Sequence, residues 1–170
     1  KCFQNSTAAK SIEKYVAIEP NPYFEDEMRK EKDVRGLEFP LEFAAIKGEK
    51  LPLDSTGSFD VVILTHVLCS VDSVESVLAN AEKALKTGGR IIFMEHVIST
   101  KKEGTMYYVQ RMVAPILYII GNGCTFRDLG DDIGNYLGNR FDTQLEKFVA
   151  PVPSFLYFVR PHIKGIATKK

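Results

Sequence analysis

The chain has 170 residues, of which 45% are apolar, and it carries 22 basic and 22 acidic residues. This length suits one domain, 1–170, with a sizeable core, and the composition argues against a disordered or membrane-spanning chain. A net charge of zero gives no electrostatic reason to expect a nucleic-acid partner.

The three cysteines, Cys2, Cys69 and Cys124, are odd in number and widely spaced. This pattern predicts reduced thiols in a reducing compartment rather than a disulfide framework or a metal site. We expect Cys69 and Cys124 to be packed side chains, since free cysteine behaves as a small apolar residue.

A short apolar strand at 15–18 ends in Glu19. The helix that follows is predicted to begin with Asn21 as its cap and Pro22 in its first position, and to run to about Arg35. A carboxylate therefore lies at the carboxyl end of a strand, beside the start of a helix.

The central stretch of the sequence is 58–71, which follows a weaker strand at 41–46 and a turn at 47–52. Its run of β-branched and apolar residues predicts a strand that is buried on both faces of a parallel sheet. Thr65 and His66 fall where this strand ends. In open α/β sheets ligands bind outside the carboxyl ends of the strands, so this pair is a candidate for the site.

A second strand–helix–strand unit follows. Asp72 and Glu75 resemble a capping box, Gly88 and Gly89 are predicted to stop the helix, and a buried strand at 91–94 ends at Glu95 and His96. The helix has one apolar face, formed by Val74, Val77, Leu78, Ala81 and Leu85. This order predicts a βαβ unit with two parallel strands.

The most apolar segment, 103–120, is predicted to be a helix. It is too short and too interrupted to cross a bilayer. It could cover the core, form a lid over an apolar substrate, or rest on a membrane interface.

The end of the chain predicts a helix at 124–137, capped by Thr125, and strands at 141–148 and 162–168. The link between the two strands has no room for a crossover helix, so they are expected to be an antiparallel pair at a sheet edge.

Taken in order, four motifs resemble those of class I S-adenosylmethionine-dependent methyltransferases. They are Tyr15-Val16-Ala17-Ile18-Glu19-Pro20-Asn21, Gly48-Glu49-Lys50-Leu51-Pro52, Ser58-Phe59-Asp60-Val61-Val62 and Leu85-Lys86-Thr87-Gly88-Gly89-Arg90. The segments Val67-Leu68-Cys69-Ser70-Val71, Glu95-His96-Val97, Gly121-Asn122-Gly123-Cys124 and Arg160-Pro161-His162-Ile163-Lys164-Gly165 are similar to the methyltransferase-like thiol S-methyltransferases.

The resemblance implies an α/β fold of the Rossmann-like, doubly wound kind, with a mostly parallel sheet and a C-terminal antiparallel edge pair. S-adenosyl-L-methionine is the implied cofactor. Glu19, with Asn21 beside it, would hold the ribose hydroxyls, since a carboxylate accepts both hydrogens. Gly48 and Glu49 would lie at the adenine, and Thr65 and His66 would line the methionine end. The implied cofactor-binding residues are thus Glu19, Asn21, Gly48, Glu49, Thr65 and His66.

The family's first strand and its Gly-rich loop have no counterpart before Tyr15, so we expect an incomplete, N-terminally truncated methyltransferase domain. The family's strand order places that first strand at the centre of the sheet, between the strand at 15–18 and the strand of the central stretch 58–71. The subfamily's hydrophobic membrane anchor is not seen either. The resemblance implies an intracellular location on the reducing side, at the endoplasmic reticulum or lipid-droplet membrane in the full-length form, with peripheral membrane contact.

His96 and His66 are the candidate catalytic residues, because an imidazole can take the proton of an incoming thiol at neutral pH. A structural hydrogen bond is the alternative role for either. The acceptor is expected to be a small apolar molecule, an alkyl thiol above all. Two other functions stay open: an inactive fragment that acts by interaction, and a quinone-type carbon methyltransferase.

Overall fold

The computed structural model describes residues 11–51, 56–100, 104–121 and 123–170. They divide into two compact units, Lys1–Leu51 and Pro52–Lys170. The expected single domain stays a prediction. Predictions that concern Cys2, Pro52 and Glu103 lie outside the described residues.

The first unit is built on two parallel strands, β1 and β2, which pair from Tyr15↔Leu41 to Ile18↔Ala44. Its elements are β1 (Tyr15–Ile18), α1 (Phe24–Val34), β2 (Leu41–Ala44) and a 3₁₀ helix (Gly48–Lys50). These strands and this helix confirm the predicted order. Asn21 does not cap α1 as predicted: its Oδ1 accepts from the Tyr23 backbone N–H, which forms a turn one step before the helix.

The second unit contains a four-stranded sheet in the order β3-β4-β6-β5. The β3–β4 pair is parallel, while β6 is antiparallel to both β4 and β5, which confirms the predicted C-terminal pair. Its elements are β3 (Phe59–Thr65), α2 (Val74–Ala84), β4 (Leu85–His96), α3 (Thr105–Ile120), α4 (Leu129–Leu137), β5 (Phe141–Val149), a short 3₁₀ helix (Ser154–Val159) and β6 (Pro161–Lys169).

The core of the second unit forms between the sheet and the helices α2 and α4. Every apolar residue predicted on the inner face of α2 is buried. The helix begins one residue later than predicted, because Ser73 and not Asp72 is its cap: the Ser73 hydroxyl accepts from the Ser76 backbone N–H.

Strand β3 is not buried on both faces, and that prediction is wrong. Leu64 packs in the core on one side, whereas Val61 and Ile63 on the other side are 43% and 45% exposed. Among the described strands of its sheet, β3 pairs only with β4, so it is an edge strand. Alternate side chains of a strand point to opposite faces, and α2 covers the Leu64 face.

Gly88 and Gly89 do not stop α2, which already ends at Ala84. They form a bulge in the first part of β4, where the pairing with β3 jumps from Phe59↔Leu85 to Val61↔Arg90. Gly88 has a φ of 75°, and a Cβ on Gly89 would meet the Lys86 carbonyl oxygen at 2.8 Å. The bulge therefore requires both glycines.

Helix α3 does not cover the core. Gln110 is its one buried residue among those described, and the apolar side chains of Met112, Ile116 and Ile119 are strongly exposed. The last predicted helix is also shorter than expected: α4 begins at Leu129 instead of following Thr125, whose hydroxyl is used elsewhere.

Candidate active site

Four of the predicted cofactor residues lie in the first unit. Glu19 follows β1, and its Oε1 accepts from the Asn21 backbone N–H at 2.9 Å. Gly48 and Glu49 belong to the 3₁₀ helix that follows β2. Because β1 and β2 are parallel, both pairs come after the carboxyl ends of neighbouring strands. The first unit thus brings the two predicted halves of a ribose and adenine site to one sheet edge.

The remaining predicted residues lie in the second unit, also at the carboxyl ends of parallel strands. Thr65 pairs with Met94, and the His66 backbone N–H donates to the Met94 carbonyl at 3.0 Å. Thr65 and His66 therefore lie level with the end of β4, where His96 is found. That they meet the residues of the first unit in one cofactor site stays a prediction.

His66 has a strained backbone. Its φ is 53°, in the left-handed region, where residues other than glycine are uncommon. A residue held this way costs of order 1 kcal/mol and persists only where its surroundings determine it. The conformation turns the chain sharply at the end of β3.

The His66 ring belongs to a chain of hydrogen bonds with an assignable direction. The Nδ1 of His162 lies 3.0 Å from the Arg160 carbonyl, which can only accept, so this nitrogen carries the hydrogen. In a neutral His162 ring the Nε2 is then the acceptor. It lies 3.1 Å from the Nε2 of His66, which must donate. The free lone pair of a neutral His66 is therefore on its Nδ1.

Burial lowers the pKa of both imidazoles in this pair. For His66 the neighbouring His162 and His96 rings lower the pKa further. For His162 the Arg160 carbonyl opposes the effect of burial in part. Both rings are thus favoured in the neutral form at pH 7, which the donor and acceptor assignment above requires.

Glu95 carries a fully buried carboxyl group. It is 0% exposed, and its Oε1 accepts from the backbone N–H groups of Val67 and Leu68 at 3.0 and 3.2 Å. Burial raises the pKa of Glu95 to about 7, against the opposing effect of those two hydrogen bonds. Its Oε2 is buried and finds no hydrogen-bond partner within the described part of the chain. The two bonds hold the turn that follows His66.

Two cysteines that are far apart in the sequence meet at His96. The Sγ of Cys124 lies 3.0 Å from the His96 Nε2, and the ligand atoms of Cys69, His96 and Cys124 all lie within 4.8 Å of one another. A hydrogen bond from Cys124 lowers the pKa of Cys69, and the same bond, with burial, raises that of Cys124. Cys69 is buried in the core and Cys124 packs against it, which confirms the expected packing, and the two thiols also form a polar cluster with His96.

Cys124 lies in the segment between α3 and α4, and hydrogen bonds from this segment hold it beside Cys69. The Thr125 N–H and hydroxyl both donate to the Cys69 carbonyl, at 3.1 and 3.0 Å. The Arg127 guanidinium donates to the Val71 carbonyl at 2.7 Å. The segment is thereby fixed against the turn after β3, which explains why Thr125 does not cap α4.

Aromatic rings border the imidazoles. The Phe126 ring meets His96 edge-on with centroids 5.4 Å apart, and the Phe148 ring lies 5.4 Å from His162. Phe126 is buried here, whereas Phe155 is 75% exposed. At this edge of the second unit's sheet, titratable side chains therefore lie beside apolar aromatic rings.

Glu95 and His162 are not among the site residues predicted from the sequence. An available signal for Glu95 was its place directly after a buried strand, the same signal that selected Glu19 and Thr65. His162 begins the last strand, and its neighbours became known only when β6 was seen beside β4.

Within the part of the chain that the structure describes, no helix has the length and apolar character needed to pass through a bilayer.

Comparison with known proteins identifies the family. Residues 2–93 match the model of a methyltransferase domain. A human protein named thiol S-methyltransferase TMT1A is 33% identical over 155 residues, and a rat protein named thiol S-methyltransferase TMT1B is 35% identical over 158 residues. These matches cover 91% and 92% of this chain but 62% of each relative, so the chain spans about three fifths of their length.

A solved structure with the same fold is the YcgJ protein of Bacillus subtilis. It superposes with a TM-score of 0.72 at 12% identity, over 95% of this chain and 84% of that one. This likeness confirms the predicted Rossmann-like α/β fold. The chain belongs to the methyltransferase domain family and is similar over most of its length to the thiol S-methyltransferases, with a class I S-adenosylmethionine-dependent methyltransferase fold.

Proposed function

We propose that the protein transfers a methyl group from S-adenosyl-L-methionine to a small apolar thiol. The observation that carries this proposal is the His66–His162 pair at the carboxyl end of β3, beside the half-buried Phe148 ring. The names of the relatives that are 33% and 35% identical support a thiol as the acceptor class.

In the proposed reaction the acceptor sulfur forms a bond to the methyl carbon, and the bond from that carbon to the cofactor's sulfonium sulfur breaks. The products are a methyl thioether, S-adenosylhomocysteine and a proton. The chain's contribution is mainly the alignment of the three reacting atoms. Glu19, Asn21, Gly48, Glu49 and Thr65 are the residues proposed to hold the cofactor.

His66 is the proposed acceptor of the thiol proton. Its Nδ1 has the lone pair, and once protonated the ring still donates from Nε2 to His162, whose Nδ1–H is held by the Arg160 carbonyl. His96, the second candidate, has its Nε2 3.0 Å from Cys124. We therefore assign proton transfer to His66 and a positioning role to His96.

The test compares two acceptors of nearly equal size, a small alkyl thiol and the corresponding alcohol. Formation of S-adenosylhomocysteine is measured with the full chain and each acceptor. We expect turnover with the thiol and none with the alcohol, because only the thiol is deprotonated to a useful degree near neutral pH. Turnover of a quinol precursor instead would support carbon methylation, and cofactor binding without any turnover would contradict the proposal.

Exposed apolar residues on α3 support a second proposal, peripheral contact with a membrane interface. Arg111 is the single charged residue between Thr105 and Ile120. Met112, Ile116 and Ile119 are 78%, 59% and 80% exposed. Such a face suits the acyl and headgroup boundary, and it would agree with the membrane location that the resemblance implies.

Sedimentation with phosphatidylcholine vesicles tests the membrane contact. The wild-type chain should co-sediment, and the double variant Ile116→Glu with Ile119→Glu should remain in the supernatant. Val34→Glu is the matched control, since Val34 is 74% exposed on α1. If the double variant sediments as well as the wild type, α3 is not the contact.

A further inference from the structure

We propose that Cys69, His96 and Cys124 bind one zinc ion, with a fourth coordination position left for an exogenous ligand. The three side chains come from the turn after β3, the end of β4 and the segment before α4. Successive ligands are more than twenty residues apart in the sequence, so no short cysteine motif predicts the site.

The geometry of the cluster suits a tetrahedral metal. Zinc lies about 2.3 Å from a thiolate sulfur and about 2.0 Å from an imidazole nitrogen, so that two ligand atoms are about 3.5 to 3.8 Å apart. Here the three ligand atoms all lie within 4.8 Å of one another, and Cys124 Sγ is 3.0 Å from His96 Nε2. Side-chain shifts of about 1 Å or less would bring all three to the required separations.

The ligand chemistry selects the metal. Two thiolates and one imidazole are a soft to borderline set, which favours zinc over magnesium or calcium. Three protein ligands are typical of zinc sites that keep one position for water or substrate, whereas structural sites have four.

A second observation supports a cation at this place. Glu95 directly precedes His96 and is 0% exposed, and among the described residues its Oε2 has no hydrogen-bond partner. A buried carboxyl oxygen without a partner is unfavourable, and a divalent ion nearby would supply a compensating positive charge.

The fourth position would take a thiolate from a small alkyl thiol. In that step the thiol proton passes to the Nδ1 of His66 and a sulfur lone pair coordinates the metal. This assignment of the ligand class depends on the proposed function, whereas the metal site itself does not.

Metal content of the full chain is the direct test. The protein is produced with zinc in the medium and purified without chelator, and zinc per chain is measured by mass spectrometry. We expect about one zinc per chain. Cys69→Ser and Cys124→Ser should each lower the zinc affinity by more than the roughly 10- to 100-fold that loss of an outer partner costs.

His162→Gln is the matched control, because it removes an imidazole whose ring lies 6.2 Å from that of His96 but which is not one of the three ligands. It should keep its zinc. If a cysteine variant does not fold, cobalt titration of the wild-type chain still decides: binding at the thiols produces a thiolate-to-cobalt charge-transfer absorption, and addition of ethanethiol should change it.

Three results would overturn the metal site. They are a wild-type chain that binds neither zinc nor cobalt, zinc that persists in both cysteine variants, and a mass two hydrogens lower that shows a Cys69–Cys124 disulfide without metal. None of these readouts uses methyl transfer, so the zinc site and the proposed function can fail independently. An unchanged cobalt spectrum with ethanethiol overturns the thiol ligand alone.

Discussion

Substitution of Gln110 by methionine should release α3 from the second unit. Gln110 is 0% exposed, its Oε1 accepts from the Ser99 N–H at 2.7 Å, and its Nε2 donates to the Val97 and Phe158 carbonyls at 3.0 and 2.9 Å. Methionine has a similar volume and leaves no large cavity. It makes none of these three bonds.

The magnitude follows from the burial of the partners. Ser99 and Val97 are 4% and 7% exposed, so water cannot replace the lost bonds to their backbone groups. Each such unsatisfied group costs about 1 to 3 kcal/mol, which gives about 2 to 6 kcal/mol for the two. The third partner, at Phe158, is only half-buried and adds less.

This cost should appear as local opening, because no other described residue of α3 is buried. Hydrogen exchange measured by mass spectrometry should show faster exchange in Thr105–Ile120, with β4 still protected. Gln144→Met, on the exposed side of β5, is the matched control and should leave the pattern unchanged. Unchanged exchange in α3 of the Gln110 variant would refute the inference that this one side chain anchors the helix.

Three further substitutions test other parts of the structure. Asparagine tolerates the left-handed backbone at position 66, so His66→Asn removes the proton acceptor but not this conformation. A thiol of pKa near 8.5 is about 3% ionised at pH 7, so methyl transfer should fall by at most about 30-fold at pH 7 and recover towards pH 9. A loss independent of pH would remove His66 from proton transfer. Gly165→Ala should lower the free energy of unfolding in urea by more than about 3 kcal/mol, because its Cβ would overlap the Gln144 carbonyl and the Phe93 ring. A loss below about 1 kcal/mol would contradict the tight β4–β6–β5 packing. Lys169→Met should lower the free energy of unfolding by about 1 to 3 kcal/mol, because it leaves the Glu82 and Leu85 carbonyls unpaired at the end of α2. Unfolding at the wild-type urea midpoint would show that water replaces the ammonium group.

The sequence predicted the fold where local patterns decide it. Tyr15–Ile18 was bounded correctly by its apolar residues and the acid that follows, and the inner face of α2 followed from helical spacing. The predicted burial of β3 on both faces was wrong for a different reason, which also left the role of α3 open. Periodicity shows which residues are apolar, but exposure depends on whether another element covers them, and Ile63 and Ile116 show that none of the described elements does.

Only those candidate site residues that follow from local patterns were predicted. Strand ends identified Glu19, Thr65 and His66, because the carboxyl ends of parallel strands are known from strand order alone. The Cys69, His96 and Cys124 cluster depends on Thr125 bonding to the Cys69 carbonyl. Such a contact between distant segments leaves no periodic trace in the sequence.

Calorimetric titration of S-adenosylhomocysteine into the chain and its Glu19→Ala variant tests the proposed cofactor site at the carboxyl end of β1. We expect saturable binding by the wild type and a loss of about 1 to 3 kcal/mol in the variant, which corresponds to about 5- to 150-fold in Kd. Equal affinity in the two proteins, or no binding by the wild-type chain, would contradict it.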